Sequence, residues 1–164
     1  MINSTYVISF PMALKYTDRL FVHLLNQAGH AVSANFVQVL RERGFTVRQW
    51  RLLGSLWDEE SLTLTELAEA TFCGHSTVTR LIERLQKQGL VTRVPDLIDR
   101  RKAYVSLTPS AREQVGDLVI LSEMMEKEVI DLVGPKLVAK MMLELRQMIA
   151  KLSESRQGDR RSVG

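Results

Sequence analysis

The chain has 164 residues, of which 45% are hydrophobic and 25% are charged, and its formal net charge is +3. This length suits one compact domain with helical extensions and leaves little room for a two-domain enzyme, while the composition argues against disorder. The single cysteine excludes an intramolecular disulfide, and neither a secretory leader in residues 1–14 nor an apolar run of about 20 residues is visible, so we expect a cytoplasmic protein without membrane contact.

Two helices are predicted in the first third of the chain. Thr46 and Gln49 have the spacing of a capping box, in which each side chain bonds the backbone N–H of the other, so a helix is expected to begin there. Before it, apolar residues three or four apart predict one long amphipathic helix from about Leu14 to Arg43, ended by Gly44. The stripe consists of Phe21, Leu25, Ala28, Val32, Phe36 and Leu40.

Two shorter helices follow, joined by a tight turn. Thr63 and Glu66 repeat the capping pattern and open a helix to about Thr71, and a further helix runs from about His75 to Gln88. This pair predicts a helix-turn-helix, although a helical hairpin in a bundle would show the same periodicity. The last helix has an apolar face of Val78, Leu81, Ile82 and Leu85 and an opposite face of Ser76, Thr77, Thr79, Arg80, Glu83, Arg84 and Lys87.

A basic hairpin is predicted directly after these helices. Two β-prone runs, Leu90–Val94 and Ala103–Leu107, flank a loop that ends in Asp99, Arg100, Arg101 and Lys102. Between residues 75 and 105 lie seven basic and three acidic residues, so this fifth of the chain carries +4. A hairpin in this position forms a wing, and arginine at its tip can enter a minor groove. The combination predicts binding to double-stranded DNA.

The C-terminal part predicts two helices that need a partner. Thr108 and Pro109 open the first, and Gly134 and Pro135 separate it from the second. Their stripes and that of the first helix hold more apolar surface than one winged-helix module can cover, so we expect a homodimer and a pseudo-palindromic operator with half-sites roughly 34 Å apart. The stripes are Leu118, Leu121, Met125, Val129 and Leu132, then Val138, Met141, Leu145, Met148 and Leu152.

These elements define the expected organisation within one structural domain. Residues 1–45 form an N-terminal dimerisation helix, 46–108 the winged helix-turn-helix lobe, 109–153 the C-terminal dimerisation helices, and 154–164 a flexible polar tail. The fold class is therefore mainly α with a small β-hairpin wing. The terminal helices are expected to form the dimerisation platform.

Six segments in this order closely resemble the signature of the MarR family, over about Thr46 to Arg112. The resemblance implies a homodimeric winged-helix regulator, often a repressor whose DNA affinity a small molecule lowers. It places Ser76, Thr77, Thr79 and Arg80 where family members face the major groove, and Asp99 where an acidic residue helps to hold a groove-inserting arginine, here Arg101. The segments are Thr46–Leu53, Leu62–Glu69, Ser76–Leu85, Gly89–Val91, Asp99–Arg101 and Leu107–Pro109.

Three positions depart from the family pattern. Phe72 stands in the helix-helix turn where the family usually has glycine, and Gly74 stands where a serine or aspartate cap is common. Glycine can also serve as an N-cap at slight cost, so the turn is where this chain is expected to differ from its relatives. Ala111 replaces a frequent glycine and affects only the entry to the next helix.

The trigger of regulation is the least determined feature. Trp50, Trp57 and His23 are candidates for lining an effector pocket, with core packing as the alternative for the tryptophans. His23 and His30 lack neighbouring cysteines or carboxylates, so no metal site is expected. Cys73, in the turn, could make a redox-responsive regulator, but a buried thiol would be inert, and peroxide-sensing family members use a cysteine in the N-terminal helix, where this chain has none.

Other function classes are less well supported. The chain has no Gly-rich phosphate loop, nucleophile elbow or HExxH motif, so we expect no catalytic residue, no cofactor and no enzymatic activity. A winged helix that binds a protein partner remains the main alternative to DNA binding. The predicted DNA-binding residues are Ser76, Thr77, Thr79, Arg80, Arg84, Asp99, Arg100, Arg101 and Lys102.

Overall fold

The computed structural model describes residues 15–99 and 102–161, except for the side chains of residues 155–161. This part is mainly helical with one small antiparallel sheet, which confirms the predicted fold class. A short 3-10 turn, Thr17–Arg19, precedes the first helix. The elements are α1 (Phe21–Glu42), α2 (Val47–Ser55), β1 (Leu62–Thr63), α3 (Leu64–Thr71), α4 (His75–Lys87), β2 (Val91–Pro95), β3 (Ala103–Leu107), α5 (Pro109–Val133) and α6 (Pro135–Arg161).

Local hydrogen bonds set the predicted helix starts. At α2 the Thr46 hydroxyl accepts from the Gln49 N–H at 3.2 Å, and Gln49 Oε1 accepts from the Thr46 N–H at 2.8 Å. At α3 the Thr63 N–H donates to Glu66 Oε2 at 2.7 Å, and this bond with that of the Thr63 hydroxyl lowers the pKa of Glu66. These reciprocal bonds confirm both capping boxes.

Gln49 also ties α2 to the end of α4. Its side chain is buried, and while Oε1 accepts from both the N–H and the hydroxyl of Thr46, its Nε2 donates to Gln88 Oε1 at 3.2 Å. Every polar atom of this buried amide therefore has a partner, as low-dielectric surroundings require. The cap of one helix and the orientation of the next depend on the same side chain.

The sheet has three strands in the order β1-β3-β2. The predicted hairpin is confirmed, with Val91 opposite Leu107 and Pro95 opposite Ala103. Alternation along β3 buries Val105 and leaves the neighbouring Tyr104 outside. The strand β1, which pairs with β3, was not predicted because two residues give no periodicity.

Two helix ends differ from the sequence prediction. Leu20 is extended, with φ −88° and ψ 116°, so α1 begins at Phe21 rather than near Leu14, which itself lies outside the described residues. At the other end α6 continues to Arg161, so the backbone of residues 154–161, part of the segment predicted as a flexible polar tail, is helical. Gly158 alone costs a helix about 1 kcal/mol relative to alanine, which is too little to end it.

The chain divides into two units, Met1–Arg112 and Glu113–Gly164. Unit one has a continuous apolar core, whereas in unit two Val115 and Leu118 are buried and most apolar side chains farther along α5 and α6 are exposed at least in part. No helix within the described ranges has both the length and the apolar character to cross a bilayer. The core of unit one includes Leu40, Leu52, Leu53, Leu56, Leu67, Val78, Ile82, Leu85, Leu90, Val91 and Val105.

Candidate nucleic-acid interface

The helix α4 has one buried and one exposed face. Val78, Ile82 and Leu85 have no solvent exposure, and they anchor the helix in the core of unit one. The helical period of 3.6 residues brings Ser76, Thr77, Arg80 and Arg84 onto the opposite side, where all four are exposed. Thr79 lies at the edge of this face, half-buried, with its hydroxyl donating to the His75 carbonyl at 2.9 Å.

In the turn before α4, Phe72 adopts a backbone conformation that glycine usually takes. Phe72 ends α3 in the left-handed conformation, with φ 53°, and it is the one non-glycine residue with positive φ in the described part of the chain. Its ring is 81% exposed. Gly74 is the N-cap of α4 without a side-chain bond, as its sequence position predicted. The departure from the family pattern at Phe72 therefore changes the energy of the turn more than its shape, since left-handed backbone strains a residue with a Cβ.

A basic groove joins the start of α2 to the exposed face of α4. It has a volume of about 520 Å³ and is lined by three arginines, Arg48, Arg80 and Arg84, with no acidic residue among the lining side chains. Such a surface has the charge and the fork-shaped donors that phosphate oxygens require. The remaining lining residues are Thr46, Val47, Thr77 and Leu81.

Arg48 was absent from the residues singled out in the sequence. It lies in the first turn of α2, between the two residues of the capping box, where a lone arginine gives no indication of its neighbours. Only the packing of α2 beside α4 brings Arg48 to the same groove as Arg80 and Arg84.

Asp96 organises the tip of the wing. Its Oδ1 accepts from the N–H groups of Ile98 and Asp99, both at 2.7 Å, and these bonds lower its pKa, with smaller contributions from the Tyr104 hydroxyl and the Lys102 charge. Its own N–H donates to the Lys102 carbonyl at 3.0 Å, and the Lys102 N–H donates to the Asp99 carbonyl at 2.8 Å. Asp96 was not among the predicted site residues, although aspartate after proline at the start of a loop is a common turn former.

Of the four residues predicted to contact DNA at the wing, two lie within the part of the chain that the structure describes. Lys102 is exposed and Asp99 is half-buried, and both take part in the hydrogen bonds that close the loop. Arg100 and Arg101 lie outside the described residues. Their contact with DNA, and the role of Asp99 in holding Arg101, stay predictions.

The two tryptophans considered for an effector pocket contact other residues of unit one. The Trp50 ring meets Phe36 edge-on, with 5.1 Å between ring centroids, and the Arg112 guanidinium lies 5.4 Å from the centroid of Trp57. Arg112 also donates to the Trp57 carbonyl at 3.2 Å. His23 is half-buried on α1. Both tryptophans thus have contacts within unit one, and both the effector role of the three residues and the packing alternative for the tryptophans stay predictions.

The cysteine and histidines form no evident reactive centre. Cys73 is half-buried, and its thiol donates to the Thr71 carbonyl at 3.4 Å. Over residues 15–99 and 102–161 no three side chains of the His, Cys, Asp and Glu types are grouped to hold a metal ion.

Comparison with known proteins agrees with this architecture. The model of the MarR family matches residues 45–103. The HTH-type transcriptional regulator FarR of Neisseria gonorrhoeae is 29% identical over 133 residues, which cover 79% of this chain and 86% of FarR. The homoprotocatechuate degradative operon repressor of Escherichia coli is 32% identical over 91 residues, or 56% of this chain and 61% of the repressor.

A solved structure extends the likeness beyond the lobe. BpsR of Bordetella bronchiseptica, whose DNA binding is regulated by 6-hydroxynicotinic acid, superimposes with a TM-score of 0.72 and 29% identity over 82% of this chain and 96% of BpsR. These relatives are regulators by name, and the matched segment runs from the start of α2 through the helix-turn-helix to the start of β3. Residues 45–103 therefore match the MarR family, and the structural likeness over most of the chain is to winged helix-turn-helix regulators of that family.

Proposed function

We propose that the protein is a homodimeric, sequence-specific transcription repressor that inserts α4 into the major groove and the wing into the minor groove. The observation that carries this proposal is the basic groove, where Arg48, Arg80 and Arg84 converge with no acidic lining residue. An exposed face of this charge beside short hydroxyl side chains suits a duplex, because phosphates demand cations and base edges demand small donors and acceptors.

The residues of the interface divide into two roles. Arg80, with Ser76 and Thr77 near the start of α4, is expected to contact base edges and so to select sequence. Arg48 and Arg84, which line the same groove, are expected to bind phosphates and so to fix the register of the protein on the duplex. Arg100, Arg101 and Lys102 complete the interface at the wing.

Homodimerisation is proposed through the terminal helices. Large apolar side chains are exposed at the start of α1, as at Phe21, and along α5 and α6, as at Met141, Leu152 and Leu132, the last of which is 87% exposed. Contiguous exposed apolar surface marks an interaction site in a soluble protein. Residues 1–45 and 109–153 would then provide the dimer contacts, and residues 46–108 the DNA contacts.

Release by a small aromatic acid is the proposed form of regulation. BpsR responds to 6-hydroxynicotinic acid, and the Escherichia coli relative represses a homoprotocatechuate degradative operon. Both compounds are aromatic acids, so this class is the first to test. Ligand binding would lower operator affinity by favouring a dimer conformation in which the two α4 helices no longer fit successive major grooves.

The proposal is tested on operator fragments selected from genomic DNA by the protein itself. Fluorescence anisotropy over a range of salt concentrations should show that Arg80→Ala loses roughly 5- to 150-fold of its preference for the selected sequence over random duplex, as for one good base contact of about 1–3 kcal/mol. Arg48→Ala should weaken binding to every duplex and reduce the salt slope by about one.

Two exposed residues supply matched controls. Arg51 lies on α2 and Lys87 on α4, and neither lines the basic groove. Arg51→Ala and Lys87→Ala should therefore bind nearly as the parent protein does. If the parent protein shows no duplex binding even at low salt, the winged helix serves a protein partner and the proposal is wrong.

A further inference from the structure

The tip of the wing carries two aliphatic side chains in full contact with solvent. Leu97 is 99% exposed and Ile98 is 96% exposed. They precede the basic run Arg100–Lys102 in the sequence, and they sit on the hairpin that follows α4. Two adjacent aliphatic side chains with this exposure are candidates for burial against a partner surface.

The loop holds this pair outward in a defined backbone geometry. The Asp96 carboxylate bonds the N–H groups of Ile98 and Asp99, so the backbone folds around Asp96 and Leu97 occupies the corner of the turn. The bonds between Asp96 and the Lys102 carbonyl and between Lys102 and the Asp99 carbonyl close the same loop from the other side. The side chains of Leu97 and Ile98 project from a fixed tip, which limits the entropy lost when they bind.

We propose that Leu97 and Ile98 form an apolar wedge that enters the minor groove of the operator beside the basic residues of the wing. This inference rests on the proposed DNA-binding function. Apolar wedges in the minor groove partly unstack a base step and bend the duplex. Lys102, which is exposed on the same loop, supplies a positive charge for the phosphates that border the groove.

The size of the apolar tip favours a groove over a protein partner. Each aliphatic side chain offers about 60–120 Å² of apolar surface, from its transfer free energy and 25 cal/mol per Å². Including the exposed parts of Val94 and Tyr104 on the outer face of the wing, the total reaches at most about 400 Å², against about 800 Å² for each partner of a standard protein interface. A minor groove about 6 Å wide, by contrast, admits one or two side chains.

The test uses the full-length double variant Leu97→Ser/Ile98→Ser and duplexes that carry either a flexible TA step or a stiff A-tract where the wing contacts them. The parent protein should bend the duplex and prefer the TA step. The double variant should bind at least tenfold more weakly, lose this preference and reduce the bend measured by resonance energy transfer, with an unchanged salt slope. Lys102→Ala, which removes a charge from the same loop, should instead reduce the salt slope by about one.

Controls separate the wedge from a folding defect and from the proposed function. The urea midpoint of Leu97→Ser/Ile98→Ser should equal that of the parent protein because both side chains are solvent-exposed, and Leu97→Met/Ile98→Val should keep affinity and bend. Unchanged affinity and bending in the serine variant would overturn the wedge while leaving DNA binding intact. Weaker association between dimers with unchanged DNA binding would also overturn it. Failure of the parent protein to bind duplex would contradict the proposed function itself.

Discussion

The lobe of residues 46–108 and the terminal helices distribute their apolar side chains in opposite ways. In the lobe, Leu53, Leu67 and Ile82 are fully enclosed, and apart from the wing most of its large apolar side chains lie in the core. In α1 and in the later turns of α5 and α6, apolar residues such as Phe21 and Leu132 are exposed. Because burial of apolar surface is the main source of folding free energy, the lobe can be stable on its own contacts, whereas the terminal helices require another surface.

The largest expected effect comes from removing that surface. Met141→Glu combined with Leu152→Glu places two carboxylates on exposed apolar positions of α6, and burying them without partners would prevent dimerisation. Light scattering should show a monomer, and operator affinity should fall at least a hundredfold, because the two half-sites are no longer bound together. Lys140→Glu, at an exposed polar position of the same helix, should remain dimeric. A dimeric double variant would place the interface elsewhere.

The second effect concerns the lobe. Ile82→Ala removes a fully buried side chain of α4 and should lower the free energy of unfolding by about 2–5 kcal/mol, through lost transfer free energy and the cavity left behind. Urea denaturation measures it, with the exposed neighbour variant Glu83→Ala expected within about 0.5 kcal/mol of the parent protein. A loss below about 1 kcal/mol would contradict the close packing of Ile82 in the core of the lobe.

The turn between α3 and α4 offers a smaller change of opposite sign. Left-handed backbone destabilises the folded protein by roughly 1–2 kcal/mol for a residue with a Cβ, and glycine removes this strain. Glycine also has more freedom in the unfolded chain, which offsets about 0.5–1 kcal/mol of the gain. Phe72→Gly should therefore raise the free energy of unfolding by about 0.5–1 kcal/mol in urea denaturation. Phe72→Ala, which removes the ring but keeps the Cβ, should leave stability nearly unchanged. A stabilising alanine would mean that the ring, not the backbone, causes the cost.

The smallest effect is local to the wing. Because hydrogen bonds lower the pKa of Asp96, the order they give the tip is complete above the ordinary value of 3.8 and is lost as the pH falls through the lower value of the folded protein. The amide NMR signals of Ile98 and Asp99 should follow this titration below pH 3.8. Asp96→Ala should shift both signals at every pH, whereas Asp96→Asn keeps an acceptor and should abolish the pH dependence. Identical signals in the alanine variant would refute the role of Asp96.

Local chemistry made much of the fold predictable. The capping boxes at Thr46 and Thr63 and the glycine at position 89, which has φ 72°, act within a few residues, so their sequence spacing contains the information. The strand β1 and the position of Arg48 in the basic groove depend on segments far apart in the sequence. No rule of sequence spacing connects Arg48 with Arg84, because only the folded structure brings the two residues to one groove.

The candidate site was predictable to the extent that one helix carries it. Ser76, Thr77, Arg80 and Arg84 share a face by periodicity alone, whereas Thr79 lies at its edge because the 3.6-residue period turns it away. At the wing, the positive charge of the basic run predicted a role in DNA binding. The role of Asp96 was not predicted, because its carboxylate accepts hydrogen bonds from backbone N–H groups of the loop.

The buried amide of Gln49 restricts which residues that position can tolerate. Glutamate would keep an acceptor for Thr46 but bring a charge into the core and remove the donor to Gln88. Leucine would have a similar volume, but it would leave the Thr46 N–H and the side-chain Oε1 of Gln88 without their partners. This position requires a side chain of this length that accepts at Thr46, donates at Gln88 and carries no charge, and glutamine meets all of these requirements. At exposed positions of α2 outside the basic groove, such as Arg51, substitution is therefore open, while at Gln49 it is closed.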